Sequence, residues 1–101
     1  MKSAILAQEK KQRVTSSASI DLLDDGAIII TECDTSSDGD DKLEARFGGQ
    51  REHIVTIPAA AVPRLAFALI RKHYAGNLGA GYAIAALCGE ESVEVSAMFW
   101  P

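Results

Sequence analysis

The stretch Ser19–Cys33, with the sequence SIDLLDDGAIIITEC, decides the predicted fold. Its centre, Asp24–Gly26, is typical of a tight turn, because an Asp-Gly pair supplies the positive-φ residues that a hairpin needs. Three successive isoleucines, Ile28–Ile30, follow the turn, and β-branched residues favour an extended strand. The sequence therefore predicts strands over Ser19–Leu23 and Ala27–Cys33, the second buried on both faces for part of its length.

Two more strands are predicted downstream, because polar and apolar residues alternate in two short segments. The first is Lys42–Phe47, and Gly48-Gly49 supplies the turn after it. The second is Glu52–Ile57, in which His53, Val55 and Ile57 share one face. With the central hairpin, these segments predict a four-stranded antiparallel meander.

The hydrophobic period changes to that of a helix after Ile57. Apolar residues in Val62–His73 recur at helical spacing, which predicts a main amphipathic helix covering one face of the sheet. Pro58 and Pro63 leave two alternatives, since proline suits only a first turn. Either the helix begins at Pro58 and bends, or one turn precedes a helix that begins near Pro63. Gly76 is expected to end it.

The two ends of the chain carry weaker patterns. Ala80–Cys88 is rich in alanine and precedes Gly89, which predicts a short helix capped at that glycine. Ser92–Phe99 alternates and predicts a fifth strand, whereas residues 1–18 are expected to be weakly structured or a short helix. The predicted fold class is therefore α+β, with a single domain over residues 19–101.

Composition places this chain among ordinary globular proteins. It has 101 residues, 48% of them hydrophobic, and a formal net charge of -4. Cys33 and Cys88 lie far apart and form no CxxC pair, which favours two reduced thiols in the cytoplasm. The longest uncharged run is interrupted by glycines and falls short of a membrane span, so no membrane association is expected.

Charge is sorted along the sequence. Residues 17–41 contain eight acidic residues and no basic one, whereas residues 42–73 contain six basic residues and two acidic ones. Such a distribution can steer partners of either sign.

The acidic segment resembles the start of an EF-hand calcium loop. Its candidate oxygen ligands are Asp34, Ser36, Asp38 and Asp40, with Gly39 at the position of the invariant glycine. The resemblance covers seven residues and then fails, since Ala45 stands where the bidentate glutamate belongs. The alternative is a solvated polar loop over Asp34–Asp41 whose acids keep the sheet soluble.

The basic segment offers a second candidate surface. Lys42 and Arg46 share the outer face of a predicted strand, and Arg51 is expected in the turn that follows. The order of strands and helix is similar to that of single-stranded-DNA-binding transcriptional coactivator domains, which implies nucleic-acid binding on an open sheet face. The alternative is an ordinary solvated strand face, which the pI near 5.0 favours.

Catalysis is not expected from the sequence. Cys33 and His53 could meet on adjacent strands as a nucleophile and a base, but no motif supplies an orienting acid or an oxyanion site. No cofactor is predicted. Trp100, in the apolar C-terminus, either closes the core or anchors a partner.

The sequence therefore predicts a small cytoplasmic, non-enzymatic module of protein interaction or regulation that binds a protein partner or itself. Single-stranded nucleic-acid binding through the basic sheet face is the alternative.

Overall fold

The computed structural model describes residues 1–36 and 50–98 of this chain. Within them, four strands form one antiparallel sheet in sequence order, and helices follow the sheet. The predicted α+β class is confirmed, with an antiparallel meander before a main helix and a short helix. The elements are β1 (Lys2–Lys11), β2 (Val14–Leu22), β3 (Ile28–Ser36), β4 (Gln50–Ile57), a 3-10 turn (Ala59–Ala61), α1 (Val62–His73) and α2 (Ala80–Glu90).

The chain divides into two compact units, Met1–Leu65 and Ala66–Pro101. The first unit contains the sheet and the 3-10 turn, and the second contains most of α1 and all of α2.

The first strand is absent from the sequence prediction, and the expectation of a weakly structured or helical segment over residues 1–18 is wrong. β1 occupies Lys2–Lys11 and pairs antiparallel with β2, which itself crosses the predicted boundary between residues 18 and 19. Many residues of β1 are of types that favour a helix, namely Ala, Leu, Gln, Glu and Lys. Helix propensities of ordinary residues differ by only about 0 to 0.7 kcal/mol each, so pairing with a distant strand overrides this preference.

The predicted turn between β2 and β3 is confirmed. Gly26 has a φ of 94°, and the Leu23 N–H donates to the Ala27 carbonyl over 2.8 Å. The Asp25 carboxylate accepts the Ala27 N–H over 2.9 Å, which fixes the turn further. The isoleucine run Ile28–Ile30 is half-buried, so the expected burial on both faces is wrong.

The remaining strand predictions have mixed outcomes. Glu52–Ile57 forms most of β4 as predicted, whereas Lys42–Phe47 lies outside the described residues. β3 continues to Ser36, so Asp34–Ser36 belong to a strand and not to the polar loop predicted over Asp34–Asp41, and the rest of that prediction lies outside the described residues. The reason is pairing on both sides of β3, because Asp34 and Thr35 have register partners in both β2 and β4.

The structure decides between the two predicted helix starts. A 3-10 turn follows Pro58, and α1 begins at Val62 with Pro63 in its first turn, where a missing N–H costs nothing. The helix ends at His73, and Gly76 follows with a φ of 79°. Three basic residues, Arg71 to His73, occupy the last turn, where they complement the helix dipole.

The short helix α2 is confirmed but ends later than predicted. It runs through Gly89 to Glu90, and the residue with positive φ after it is Ser92, at 57°. The Val93 N–H donates to the Cys88 carbonyl over 2.8 Å, and the Ser92 N–H donates to the Gly89 carbonyl over 3.4 Å. These two bonds form a Schellman motif, in which glycine usually holds the position of Ser92.

The predicted fifth strand is wrong over the part of Ser92–Phe99 that is described. Residues 93–98 have no regular secondary structure and are exposed. Alternating polarity alone does not make a strand, because a strand needs a neighbour to bond its backbone groups.

Replacing Ser92 by glycine is expected to stabilise the protein by about 0.5 to 1 kcal/mol, because the left-handed conformation strains any residue with a Cβ. Urea denaturation followed by circular dichroism measures the effect. Ser96→Gly is the matched control, since Ser96 lies in the exposed segment without a positive φ. An equal or larger gain from Ser96→Gly would contradict the assignment of the strain to Ser92.

Candidate functional site

One face of the sheet, here called the first face, is divided into an apolar half and a polar half. Along β3, Ile28 and Ile30 lie at one end of this face and Glu32 and Asp34 at the other. Cross-strand partners share a face, so β2 and β4 extend both halves. The apolar half therefore contains Ile20, Leu22, Ile28, Ile30, Val55 and Ile57.

The polar half is held by side-chain bonds between neighbouring strands. His53 Nδ1 lies 2.8 Å from Glu32 Oε1, and the Ser16 hydroxyl donates to the Asp34 carboxylate over 2.6 Å. Arg51 stands opposite Asp34 in the register of β3 and β4. A shallow depression of about 500 Å³ lies over these residues and reaches Glu9 on β1.

The chemistry of the polar half suits binding at a surface. The His53 side chain is 66% exposed and the Glu32 side chain 57%, so water screens their pairing. Acidic side chains outnumber basic ones here, since Glu9, Glu32 and Asp34 accompany Arg51 and His53. In residues 1–36 and 50–98, no group of three or more His, Cys, Asp or Glu side chains could hold a metal ion.

The Cys33 and His53 pair considered from the sequence does not form. Cys33 stands opposite Glu52, whereas His53 stands opposite Glu32, so the two side chains lie on opposite faces of the sheet. The Cys33 sulfur lies 3.5 Å from the Thr35 hydroxyl, and neither Cys33 nor Cys88 forms a disulfide in the part of the chain that the structure describes.

The predicted cation ligands are only partly described. Asp34 and Ser36 are the seventh and last residues of β3, so they belong to a paired strand and not to a loop. Asp38 and Asp40 lie outside the described residues. Calcium binding by the acidic segment stays a prediction.

Of the residues predicted to bind nucleic acid or a partner, the structure describes one and not the other three. Arg51 lies in β4 and not in a turn, because β4 begins one residue earlier, at Gln50. Lys42, Arg46 and Trp100 lie outside the described residues. Binding of single-stranded nucleic acid stays a prediction, and the acids around Arg51 oppose it on the first face.

The main feature that sequence reasoning missed is the exposure of apolar side chains. Of the described residues, Ala27 alone is buried, with 6% of its surface exposed. Large apolar side chains are exposed in both units. In the first unit they are Met1, Ile5, Leu6, Leu22, Ile54 and Val55, and in the second Phe67, Leu69, Ile70, Leu78, Tyr82, Leu87, Val93, Val95 and Met98.

The second unit carries its own apolar depression, of about 700 Å³. Ile70, Leu78, Tyr82, Val95 and Met98 contribute to its lining, so it joins α1, α2 and the segment after α2. Arg71 lies over the Phe67 ring at 5.7 Å from its centre, close enough for a cation–π contact on α1.

No family model, curated protein or solved structure matches this chain. Among the described residues, no helix is long and apolar enough to cross a membrane.

Proposed function

We propose that this protein is a non-enzymatic interaction module of the cytoplasm that functions in a protein assembly, with a second copy of the chain as the first partner. The observation that carries this proposal is the contrast between one buried residue and many exposed large apolar side chains among the described residues. A monomeric protein seldom exposes apolar surface on this scale, whereas an assembled subunit covers it with its partner.

Energetics support a partner. Full burial of one Val, Leu, Ile, Phe or Met side chain contributes about 1.5 to 3 kcal/mol, and a typical domain is stable by only about 5 to 15 kcal/mol. Half-buried isoleucines in the apolar half of the first face therefore leave much of this contribution unused. Association would recover it, and the stability of the fold would then depend on the partner.

A binding role is also supported by the polar half of the first face. Its carboxylates accept hydrogen bonds from neighbouring strands, Asp34 from Ser16 and Glu32 from His53, and these contacts link the side chains of β2, β3 and β4 across the surface. An ordered, exposed, mixed-charge surface beside an apolar one is the usual anatomy of an interface, with a polar rim around an apolar centre.

Light scattering coupled to gel filtration tests the proposal. The expected result is a mass of at least two chains, against 10.8 kDa for one chain. A folded monomer at all accessible concentrations would overturn self-association.

A further inference from the structure

The surface that best fits a second copy is the outer edge of β1. In residues 1–36 and 50–98, β1 pairs with β2 alone and lies at one edge of the sheet. Its ten residues are all exposed, with Ile5 at 71% and Leu6 at 57%. A long edge strand offers a row of backbone donors and acceptors to another strand, and addition of a strand there is a common mode of recognition.

The middle of this edge is open to pairing, whereas its ends are charged. Lys2 lies at one end, and Glu9, Lys10 and Lys11 lie at the other. Charges and bulges commonly protect edge strands, and a lysine at the centre would block pairing there. Ser3–Gln8 has no charged residue, so the central part lacks protection by charge, and its one irregularity is the register shift between Ile5 and Ala7.

A register shift in β1 makes the strand compatible with its own copy. The pairing with β2 shifts between Ile5 and Ala7, where Leu6 is the extra residue of a β-bulge. Lys2 and Ala4 precede the bulge, Ala7 and Glu9 follow it, and all four lie on the first face. When two copies pair antiparallel through β1, Lys2 of one copy can therefore lie opposite Glu9 of the other, and Ala4 opposite Ala7. The two side chains of each pair then lie on the same face of the combined sheet.

Charge selects this register over the neighbouring one. With Lys2 opposite Glu9, the two-fold symmetry gives two pairs of opposite charge. A shift by two residues keeps first-face residues opposite one another at the ends of the pairing but sets Lys2 opposite Lys11, which gives two pairs of like charge. Within the strand, the Lys11 ammonium lies 4.0 Å from the Glu9 carboxylate. Both side chains are exposed, so this contact competes only weakly with the pairing of Glu9 and Lys2 between the two copies.

We propose that two copies of this chain pair antiparallel through β1, with Lys2 of each copy opposite Glu9 of the other and the Ile5–Leu6 segment at the two-fold axis. The two sheets then form one continuous sheet, and the exposed side chains of Ile5 and Leu6 pack against their counterparts. This inference rests on the proposed function, because it takes the same partner, a second copy of the chain, and gives the edge of β1 as one surface that this partner covers.

Charge reversal tests the register. Lys2→Glu and Glu9→Lys each replace two attractive pairs by two repulsive ones, so each is expected to weaken dimerisation about tenfold at low ionic strength. The double variant Lys2→Glu/Glu9→Lys restores both attractive pairs and is expected to return the dissociation constant to within about threefold of the original. Sedimentation equilibrium gives these constants, and circular dichroism confirms that each variant keeps its strands.

Lys11→Glu is the matched control, because it makes the same charge change on the same face but lies outside the Lys2–Glu9 pairs of the proposed register. It is expected to change the dissociation constant by less than about threefold.

Tighter dimers from Lys2→Glu or Lys11→Glu would indicate the shifted register and overturn the proposed one. A wild-type dimer insensitive to all these variants would overturn pairing through β1 but leave the proposed function intact, whereas a wild-type monomer would overturn both.

Discussion

Replacing Ile30 by alanine is expected to destabilise the protein by about 2 kcal/mol, because removing a large side chain from a packed surface costs about 2 to 5 kcal/mol when burial is complete. Ile30 is half-buried, which places its cost at the low end of that range. It lies on β3, an inner strand, between Ile20 on β2 and Val55 on β4. The loss therefore affects cross-strand contacts on both sides.

Ile54→Ala is the matched control for this experiment. Ile54 lies on β4, at the edge of the described sheet, with its side chain on the opposite face and 56% exposed. Its truncation is expected to cost less than about 1 kcal/mol. Urea midpoints at one fixed protein concentration give both values. Equal losses at the two positions would show that the cross-strand contacts of Ile30 on the first face add no more stability than an exposed position on the opposite face.

Replacing Gly26 by alanine is expected to destabilise the protein by about 1 to 2 kcal/mol, because a residue with a Cβ strains a positive φ. A Cβ built at Gly26 would lie 3.5 Å from the Ala59 Cβ, which is ordinary van der Waals contact. The cost therefore comes from the backbone at 94° and not from a clash.

Gly81→Ala makes the same chemical change with the opposite expected sign. Gly81 lies inside α2, and a Cβ there would meet no atom within 4 Å. Alanine is favoured over glycine in a helix by about 0.5 to 1 kcal/mol, so this variant is expected to be more stable. Thermal unfolding of both variants and the wild type measures the two changes in stability and shows whether they have opposite signs. A neutral Gly26→Ala would show that the β2–β3 turn does not need its left-handed residue.

Local chemistry in the sequence was sufficient for part of the fold. The Asp24–Gly26 turn needs a residue with positive φ, and its three residues alone predict the turn because Gly26 adopts that conformation readily. The helical period of Val62–His73 similarly predicted α1, whereas Pro58 and Pro63 left its start open between two alternatives. In each case, interactions within a few residues decide the structure, so a single sequence contains the required information.

The strand β1 could not be predicted from local chemistry. Its residues favour a helix weakly, and its extended form depends on pairing with β2 across the Gln12-Arg13 turn. The φ of 53° at Gln12 is one that glycine or asparagine usually adopts, so the usual hairpin signal was also missing. The reverse error occurred after Ser92, where alternation suggested a strand that has no neighbour in the described part of the chain.

The candidate site depends on register, which the sequence does not contain. Strand alternation correctly placed His53, Val55 and Ile57 on one face. It did not reveal that His53 faces Glu32, or that Cys33 points to the other face, because these facts follow from the pairing of β3 with β4. The exposure of Ile5 and Leu6 was likewise invisible while residues 1–18 were expected to be weakly structured or helical.

The dependence of stability on protein concentration tests the central proposal most directly. If the fold is completed by a second copy, each tenfold dilution is expected to lower the apparent free energy of unfolding by about 1.4 kcal/mol, and the urea midpoint falls accordingly. Measuring the midpoint by far-ultraviolet circular dichroism, which follows the strands of the sheet, over roughly a hundredfold range of concentration provides the comparison. A cooperative transition whose midpoint stays constant over that range would contradict self-association as the source of stability.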